Sequence, residues 1–246
     1  MTPVGTLPLV LVPVLATIIG VGHLYSDWNL FPKIPWWYTY KTSSPRKKPL
    51  IWSSSLLGLL RAFYDSEPRF KPSVLWTDEG KVHRDSAYRS SMTAKLPRDK
   101  IIQQIEERAQ AFPFYQPVGD FQPLVVQNYG IAGQYRDHYD WYGDANAVGG
   151  NVASTFFVYI HANCTGGGTN FPRLKPPPEE EEWWCQFVDC DRPIDDGVTF
   201  KPIQGNAVYW DNLSGDSKGN PQTLHAGMPV TSGNKMGLNM WTWQST

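Results

Sequence analysis

The sequence predicts an α+β, mainly β domain in which a β-barrel or β-sandwich core is braced by helices from the N-terminal part. Three observations carry this. The 246 residues include 21 Gly and 21 Pro, and 14% are aromatic, a mix that suits a turn-rich β protein better than a helical bundle. With 41% hydrophobic and 18% charged residues, the chain can bury a core and stands far from the disordered class. Beyond residue 120, short apolar stretches alternate with Gly, Asn, Asp and Pro clusters, the pattern of many short strands. No fixed-period repeat is visible, which excludes solenoids and propellers.

From Thr2 to Gly22 there is no charged side chain. About 20 apolar residues can cross a bilayer, and Gly20 and Gly22 offer small residues for cleavage after Gly22. Residues 1–22 are therefore read as a cleaved signal or a single membrane anchor (residues 3–22), which places the protein in the secretory pathway or endoplasmic reticulum. The alternative is a start lying outside the fold of a cytoplasmic protein. Residues 23–49 read as a linker, whose Arg46-Lys47-Lys48 run is flanked by Pro45 and Pro49. Residues 50–246 form the single folded domain.

Within that domain, Leu56–Phe63 suggests a short helix. A longer one follows, with Pro97 in its first turn and Ile101, Ile105, Ala109 and Phe112 on one face. Strands are expected at Leu124–Asn128, Gly133–Tyr139, Ser154–Ile160, Gly197–Pro202, Asn206–Trp210, Leu224–Pro229 and Lys235–Trp243. Three cysteines cannot form a disulfide scaffold; Cys185 and Cys190 either pair across a short loop or stay free. Asn163-Cys164-Thr165 and Asn212-Leu213-Ser214 are glycosylation sequons should the chain be secreted.

Formal net charge is −1 and the pI about 6.5, so no electrostatic footprint for nucleic acid exists. Chemistry is carried by histidine and aspartate. His138-Tyr139-Asp140 puts a His and a carboxylate on one face of a strand, because successive side chains alternate. A distant His225 completes a two-His-one-carboxylate set, the pattern of non-haem Fe(II) oxygenases, which leaves open positions for a bidentate cosubstrate and dioxygen. Lys235 follows ten residues later on the next strand candidate. A buried lysine is costly unless paired, and its partner would be the far carboxylate of a dicarboxylate.

These residues resemble the prolyl 4-hydroxylase family of Fe(II)/2-oxoglutarate dioxygenases, in particular its short fungal members. The likeness runs from about Phe70 to Trp243. It includes Val126-Gln127-Asn128-Tyr129-Gly130, the segment from Gly133 to Trp141, the segment from Asn163 to Pro172, Gly205-Asn206-Ala207-Val208-Tyr209-Trp210, and the stretch from His225 to Trp241. The resemblance implies a double-stranded β-helix, or jelly roll, with iron held by His138, Asp140 and His225. It also implies 2-oxoglutarate paired to Lys235 and hydrogen-bonded by Tyr129 and Thr169, with O2 as oxidant and ascorbate as reductant. Trp241, Tyr142 and Arg89 are implied on the substrate side, Arg89 in a loop that covers the substrate.

Hydroxylation of peptidyl proline at C4, with 2-oxoglutarate converted to succinate and CO2, is the implied activity. The partner would then be a proline-containing peptide or protein. A small-molecule substrate is the alternative within the same chemistry, and a catalytically inactive binding module the alternative outside it. Substrate choice is expected in loops around residues 70–95 and 141–153. The remaining features take plainer readings: His161 a loop or core histidine, His23 and His83 surface groups, Glu179–Glu182 a solvated loop, and Trp36-Trp37 and Trp183-Trp184 packing residues.

Overall fold

The computed structural model describes residues 18–20, 70–76, 82–112, 119–175 and 182–246. Its strands are β1 (Ile18–Gly20), β2 (Lys71–Pro72), β3 (Leu75–Trp76), β4 (Val82–His83), β5 (Met92–Lys95), β6 (Asp120–Phe121) and β7 (Val125–Tyr129). Then come β8 (Tyr135–His138), β9 (Gly150–Gly166), β10 (Thr169–Phe171), β11 (Val198–Phe200), β12 (Ala207–Asp211), β13 (His225–Gly227) and β14 (Val230–Ser245). The helices are α1 (Lys100–Gln110) and α2 (Ala145–Val148). An eight-stranded sheet runs in the order β1-β12-β9-β14-β7-β5-β2, with β6 on β14. A four-stranded sheet runs β11-β10-β13-β8, and β3 and β4 form a separate pair.

Alternation along the large sheet sorts its side chains into two cores. On β9, Phe156, Val158 and Ile160 join Ile102, Ile105, Ala109 and Phe112 of the helical region, together with Met236, Leu238 and Met240 of β14. The intervening Phe157 and Tyr159 join Phe171, Val198, Phe200, Val208 and Trp210. Period-two geometry thus gives β9 two buried faces, one under α1 and one between the sheets. The inner face is where a site can form, because the second sheet closes over it.

All seven expected strands are present with shifted ends. Those around Ser154–Ile160 and Lys235–Trp243 extend to 17 and 16 residues as β9 and β14. Of the expected N-terminal helices, α1 lies among the described residues, and Lys71–Lys95 carries β2 to β5, which were not expected. These strands are two to four residues long and largely exposed, so no apolar alternation marks them. Pro97 is not in the first turn of α1. Asp99 is its cap, accepting from the Ile101 and Ile102 N–H groups, which satisfies donors that no helical carbonyl can reach. The buried stripe is therefore Ile102, Ile105 and Ala109, and Ile101 is only half-buried.

Cys185 and Cys190 are joined by a disulfide, and Cys164 is free. The two sequons differ: Asn163 is exposed, whereas Asn212 is fully buried with its side chain bonded inside the protein. Asn212 is thus no glycan acceptor in the folded chain. His83 is exposed, His161 half-buried on β9, and Trp184 packs in the inter-sheet core. The expected helix at 56–63, the linker 23–49, His23, Trp36-Trp37 and Glu179–Glu181 lie outside the described residues, and nothing is described of the side chains of Glu182 and Trp183. So does the apolar segment except β1, which pairs in parallel with β12. No helix among the described residues is long and apolar enough to cross a membrane.

Candidate active site

β8 and β13 are neighbours in the small sheet, and their register puts His225 directly opposite His138. Paired residues on adjacent strands share a face, so the two imidazoles converge, with ring centroids 4.2 Å apart. The chain leaves β8 at His138, and Asp140 turns back to the same point. Its Oδ1 lies 3.8 Å from His138 Nε2 and its Oδ2 lies 3.9 Å from His225 Nε2. One ligand atom from each of the three falls within 4.8 Å of the others, a spacing one metal ion can span.

Both rings are aimed by their second nitrogen. His138 Nδ1 bonds the Arg136 carbonyl oxygen and His225 Nδ1 bonds the Thr223 carbonyl oxygen. A carbonyl only accepts, so each Nδ1 carries a proton and each Nε2 is the nitrogen left facing the site. Burial, and then the neighbouring His225, hold His138 well below the usual histidine range. It is therefore neutral at physiological pH, the form that ligates metal. Stacking adds rigidity: Tyr135 lies on His138 at 3.5 Å between centroids, and Phe171 stacks on His225 at 5.4 Å.

A recess of about 320 Å³, counting its open mouth, runs from these ligands toward the large sheet. Gln127, Tyr129, Phe157, Thr169, Trp210, Gly227 and Asn239 line it with the three ligands and Tyr135. Lys235 stands behind its floor, fully buried. The ammonium sits 4.7 Å over the Tyr129 ring, donates to the Gly167 carbonyl oxygen, and pairs with no described carboxylate. Gly166 and Gly167 turn with φ of +67° and +71°, and a Cβ on Gly167 would lie 3.2 Å from Lys235 Cδ. Burial pushes the Lys235 ammonium down to about 8. An ammonium held there without a counter-charge suits an anion that enters from outside.

Tyr129 and Thr169 both reach this floor. The Tyr129 hydroxyl donates to Gln127 Oε1, and Thr169 Oγ1 shares a 2.6 Å hydrogen bond with the Tyr159 hydroxyl. The expected substrate-side residues lie farther out and do not line the recess. Trp241 is opposite Thr155 on β9 and shares the inward face of Asn239; its buried Nε1 has no hydrogen-bond partner. The Tyr142 backbone N–H donates to Asn151 Oδ1, and burial, with the Asp140 charge, raises its phenol. Arg89 donates to the Val74 carbonyl oxygen, and its guanidinium lies 4.3 Å over Tyr135, making an Arg89–Tyr135–His138 stack.

Several site residues escaped the sequence reading. Gln127 is two residues before Tyr129, Asn239 four after Lys235, and Tyr159 two after Phe157. Period two from Tyr129 and Lys235 would have found Gln127 and Asn239 as polar groups on an inward face, whereas Tyr159 had no expected site residue on its strand. Thr155 and Asn212 had no such signal, because their role depends on strands meeting across the sheet.

The residues present fit iron and 2-oxoglutarate: two histidines beside a carboxylate at one end, and at the other a buried cation with no described counter-ion. Comparison with known proteins agrees. The model of the 2OG-Fe(II) oxygenase superfamily matches residues 124–243. A probable prolyl 4-hydroxylase 10 of Arabidopsis thaliana is 31% identical over 180 residues, covering 72% of this chain and 61% of that protein. Prolyl 4-hydroxylase subunit alpha-1 of Rattus norvegicus is 29% identical over 184 residues, 72% of this chain and 30% of that one. The chain thus spans about three-fifths of the length of the plant relatives it matches. A Pseudomonas putida prolyl-4-hydroxylase shares the fold with a TM-score of 0.50 at 15% identity, covering 77% of this chain and 84% of that one. A Trichoplax adhaerens prolyl hydroxylase, in complex with a hypoxia inducible factor peptide fragment, does so with a TM-score of 0.50 at 13% identity, covering 77% and 76%. With an antiparallel jelly roll, a His–Asp–His cluster inside it and these likenesses in sequence, the chain belongs to the 2OG-Fe(II) oxygenase superfamily as a prolyl 4-hydroxylase-like member.

Proposed function

We propose that the protein is an Fe(II)- and 2-oxoglutarate-dependent dioxygenase that hydroxylates peptidyl proline at C4. The observation that carries the reading is Lys235, buried without a described counter-ion at the far end of the recess that begins at His138, Asp140 and His225. Bound iron and 2-oxoglutarate supply O2-dependent C–H hydroxylation coupled to release of succinate and CO2.

The chain's own residues bind, orient and shield. His138, Asp140 and His225 would hold the metal with one ligand atom each, and such a three-ligand set would leave positions for the cosubstrate. The Lys235 ammonium would hold the remote carboxylate, and the Tyr129 and Thr169 hydroxyls beside it would add hydrogen bonds, giving the cosubstrate one orientation. Phe157 and Trp210 line the walls with carbon, and Phe171 packs behind His225, which helps to shield a reactive centre from solvent.

The peptide substrate is supported by the named activities of the relatives, and the Trichoplax protein is seen with a peptide. The Cys185–Cys190 disulfide supports a secretory-pathway location, since such bonds persist in oxidising compartments.

The test is an anaerobic titration of the full chain with Fe(II) and 2-oxoglutarate, followed by proline peptides in air. The expected results are a visible charge-transfer band, lost in His225→Ala, and a peptide gaining one oxygen atom in step with succinate. In His138→Ala or Asp140→Ala, succinate formation is abolished while the circular dichroism spectrum stays native. Succinate formation at the wild-type rate in either variant would overturn the iron assignment. A band without hydroxylation of any proline peptide would leave the cofactors and sink the substrate.

A further inference from the structure

A chain of three hydrogen bonds, two buried and the last part-buried, ends on Asp140. Trp210 Nε1 donates to Asn212 Oδ1 at 2.9 Å, Asn212 Nδ2 donates to Thr155 Oγ1 at 2.8 Å, and Thr155 Oγ1 donates to Asp140 Oδ2 at 2.7 Å. Trp210, Asn212 and Thr155 are each at most 1% exposed, so water does not compete. The donor directions follow from chemistry. An indole N–H can only donate, so the amide oxygen of Asn212 must face it and the amide NH2 must face Thr155. Thr155 then accepts from Asn212 and has its own proton left for Asp140. The chain runs one way.

We propose that Trp210, Asn212 and Thr155 form a one-way positioning relay that occupies Asp140 Oδ2 and reserves Oδ1 for the metal. The inference rests on the metal-site reading above. Asp140 without the relay could rotate and chelate through both oxygens, or bond His225, whose Nε2 is 3.9 Å from Oδ2. Trp210 also touches the other ligand, its ring 4.8 Å from that of His225 in an edge contact. One buried indole therefore sets the orientation of two ligands, from a strand that supplies neither. Asn212, read from sequence as a glycosylation sequon, is the hinge of the relay, and its amide is fully buried, out of reach of a glycan.

The test uses Co(II) alone as the probe, read by its d–d absorption on the full-length protein, so no turnover is involved. Groups that orient a metal ligand are worth ten- to hundred-fold in affinity. Thr155→Val, which keeps shape and loses the hydroxyl, should weaken Co(II) binding by roughly that factor and alter the band shape, and Thr155→Ser should restore both. Asn212→Asp is the sharper variant. A carboxylate there accepts from Trp210 and can no longer donate, so it draws the Thr155 proton away from Asp140. Binding should fall as in Thr155→Val, and the double variant should be no worse than either single one, whereas a loss of packing alone would be additive. A native-like melt of Thr155→Val keeps the test valid should Asn212→Asp fail to fold. Unchanged binding in Thr155→Val, with binding lost in Asp140→Ala, would overturn the relay and spare the metal site. Unchanged binding in Asp140→Ala would overturn both.

Discussion

At the scale of single residues, cosubstrate binding concentrates on Lys235. Its ammonium is already desolvated and faces Tyr129, Phe157 and Tyr159 at 4.7 to 5.9 Å, so an arriving carboxylate meets a cation that gives up little hydration. Hydrogen bonds to charged groups contribute about 1.5–3 kcal/mol. Lys235→Ala should therefore raise the 2-oxoglutarate KM by roughly ten- to hundred-fold, with Fe(II) affinity measured alone left unchanged. An unmoved KM would mean that another group takes the remote carboxylate. His138, Asp140, His225 and Lys235 were all singled out in sequence; the expected shared strand face of His138 and Asp140 ends at His138, and Asp140 reaches the cluster from the bend that follows β8. Tyr159 and Asn239 share their faces, yet they were not singled out, since a lone polar residue in a strand reads equally as packing. Asn212 was misread, because a sequon is a local pattern and burial is not.

At the scale of elements, β9 and β14 are the spine, pairing from Val230↔Gly166 to Ser245↔Gly150. Their alternation assigns stability to one face and chemistry to the other. Helix α1 covers the outer face, where Ile105 is fully buried against that core. Ile105→Ala should cost about 2–5 kcal/mol of unfolding free energy through the lost burial and the cavity left behind, read as a lower urea midpoint. Co(II) affinity should hold at the wild-type value, because no site side chain points that way. A matching loss of metal affinity would show that the outer core sets the ligand geometry through the sheet. The seven longer strands were readable because apolar runs and turn residues bracket them. β2 to β5 were not, because strands of two to four exposed residues owe their form to pairing with β7 and with each other, which a local pattern does not record.

At the scale of the whole molecule, the buried cation makes stability depend on pH and on ligand. Lys235 loses its proton near pH 8 in the folded chain and at its ordinary 10.5 when unfolded. Between these values the unfolded state binds more protons, so the free energy of unfolding rises with pH, and is lowest on the acidic side of the window. Over the full interval the rise is about 3 kcal/mol, a sizeable part of a typical domain's stability. Cys164, Tyr129 and Tyr159 face the same region, and burial pushes all three up. They titrate late in the folded state and oppose the rise, most strongly above about pH 10. Urea melts of the metal-free protein at about pH 7 and about pH 9.5 should thus show higher stability at the upper value, and Lys235→Met should lose that difference. Saturating 2-oxoglutarate should also remove it, because a paired ammonium regains its proton affinity and the ligand stabilises the acidic end most. A wild-type pH response identical to that of Lys235→Met would mean the lysine keeps its ordinary proton affinity, and the floor of the recess would then need another account. The expected result ties the stability of the fold to the group that receives the cosubstrate: the chain carries, in the absence of ligand, an electrostatic cost that binding relieves.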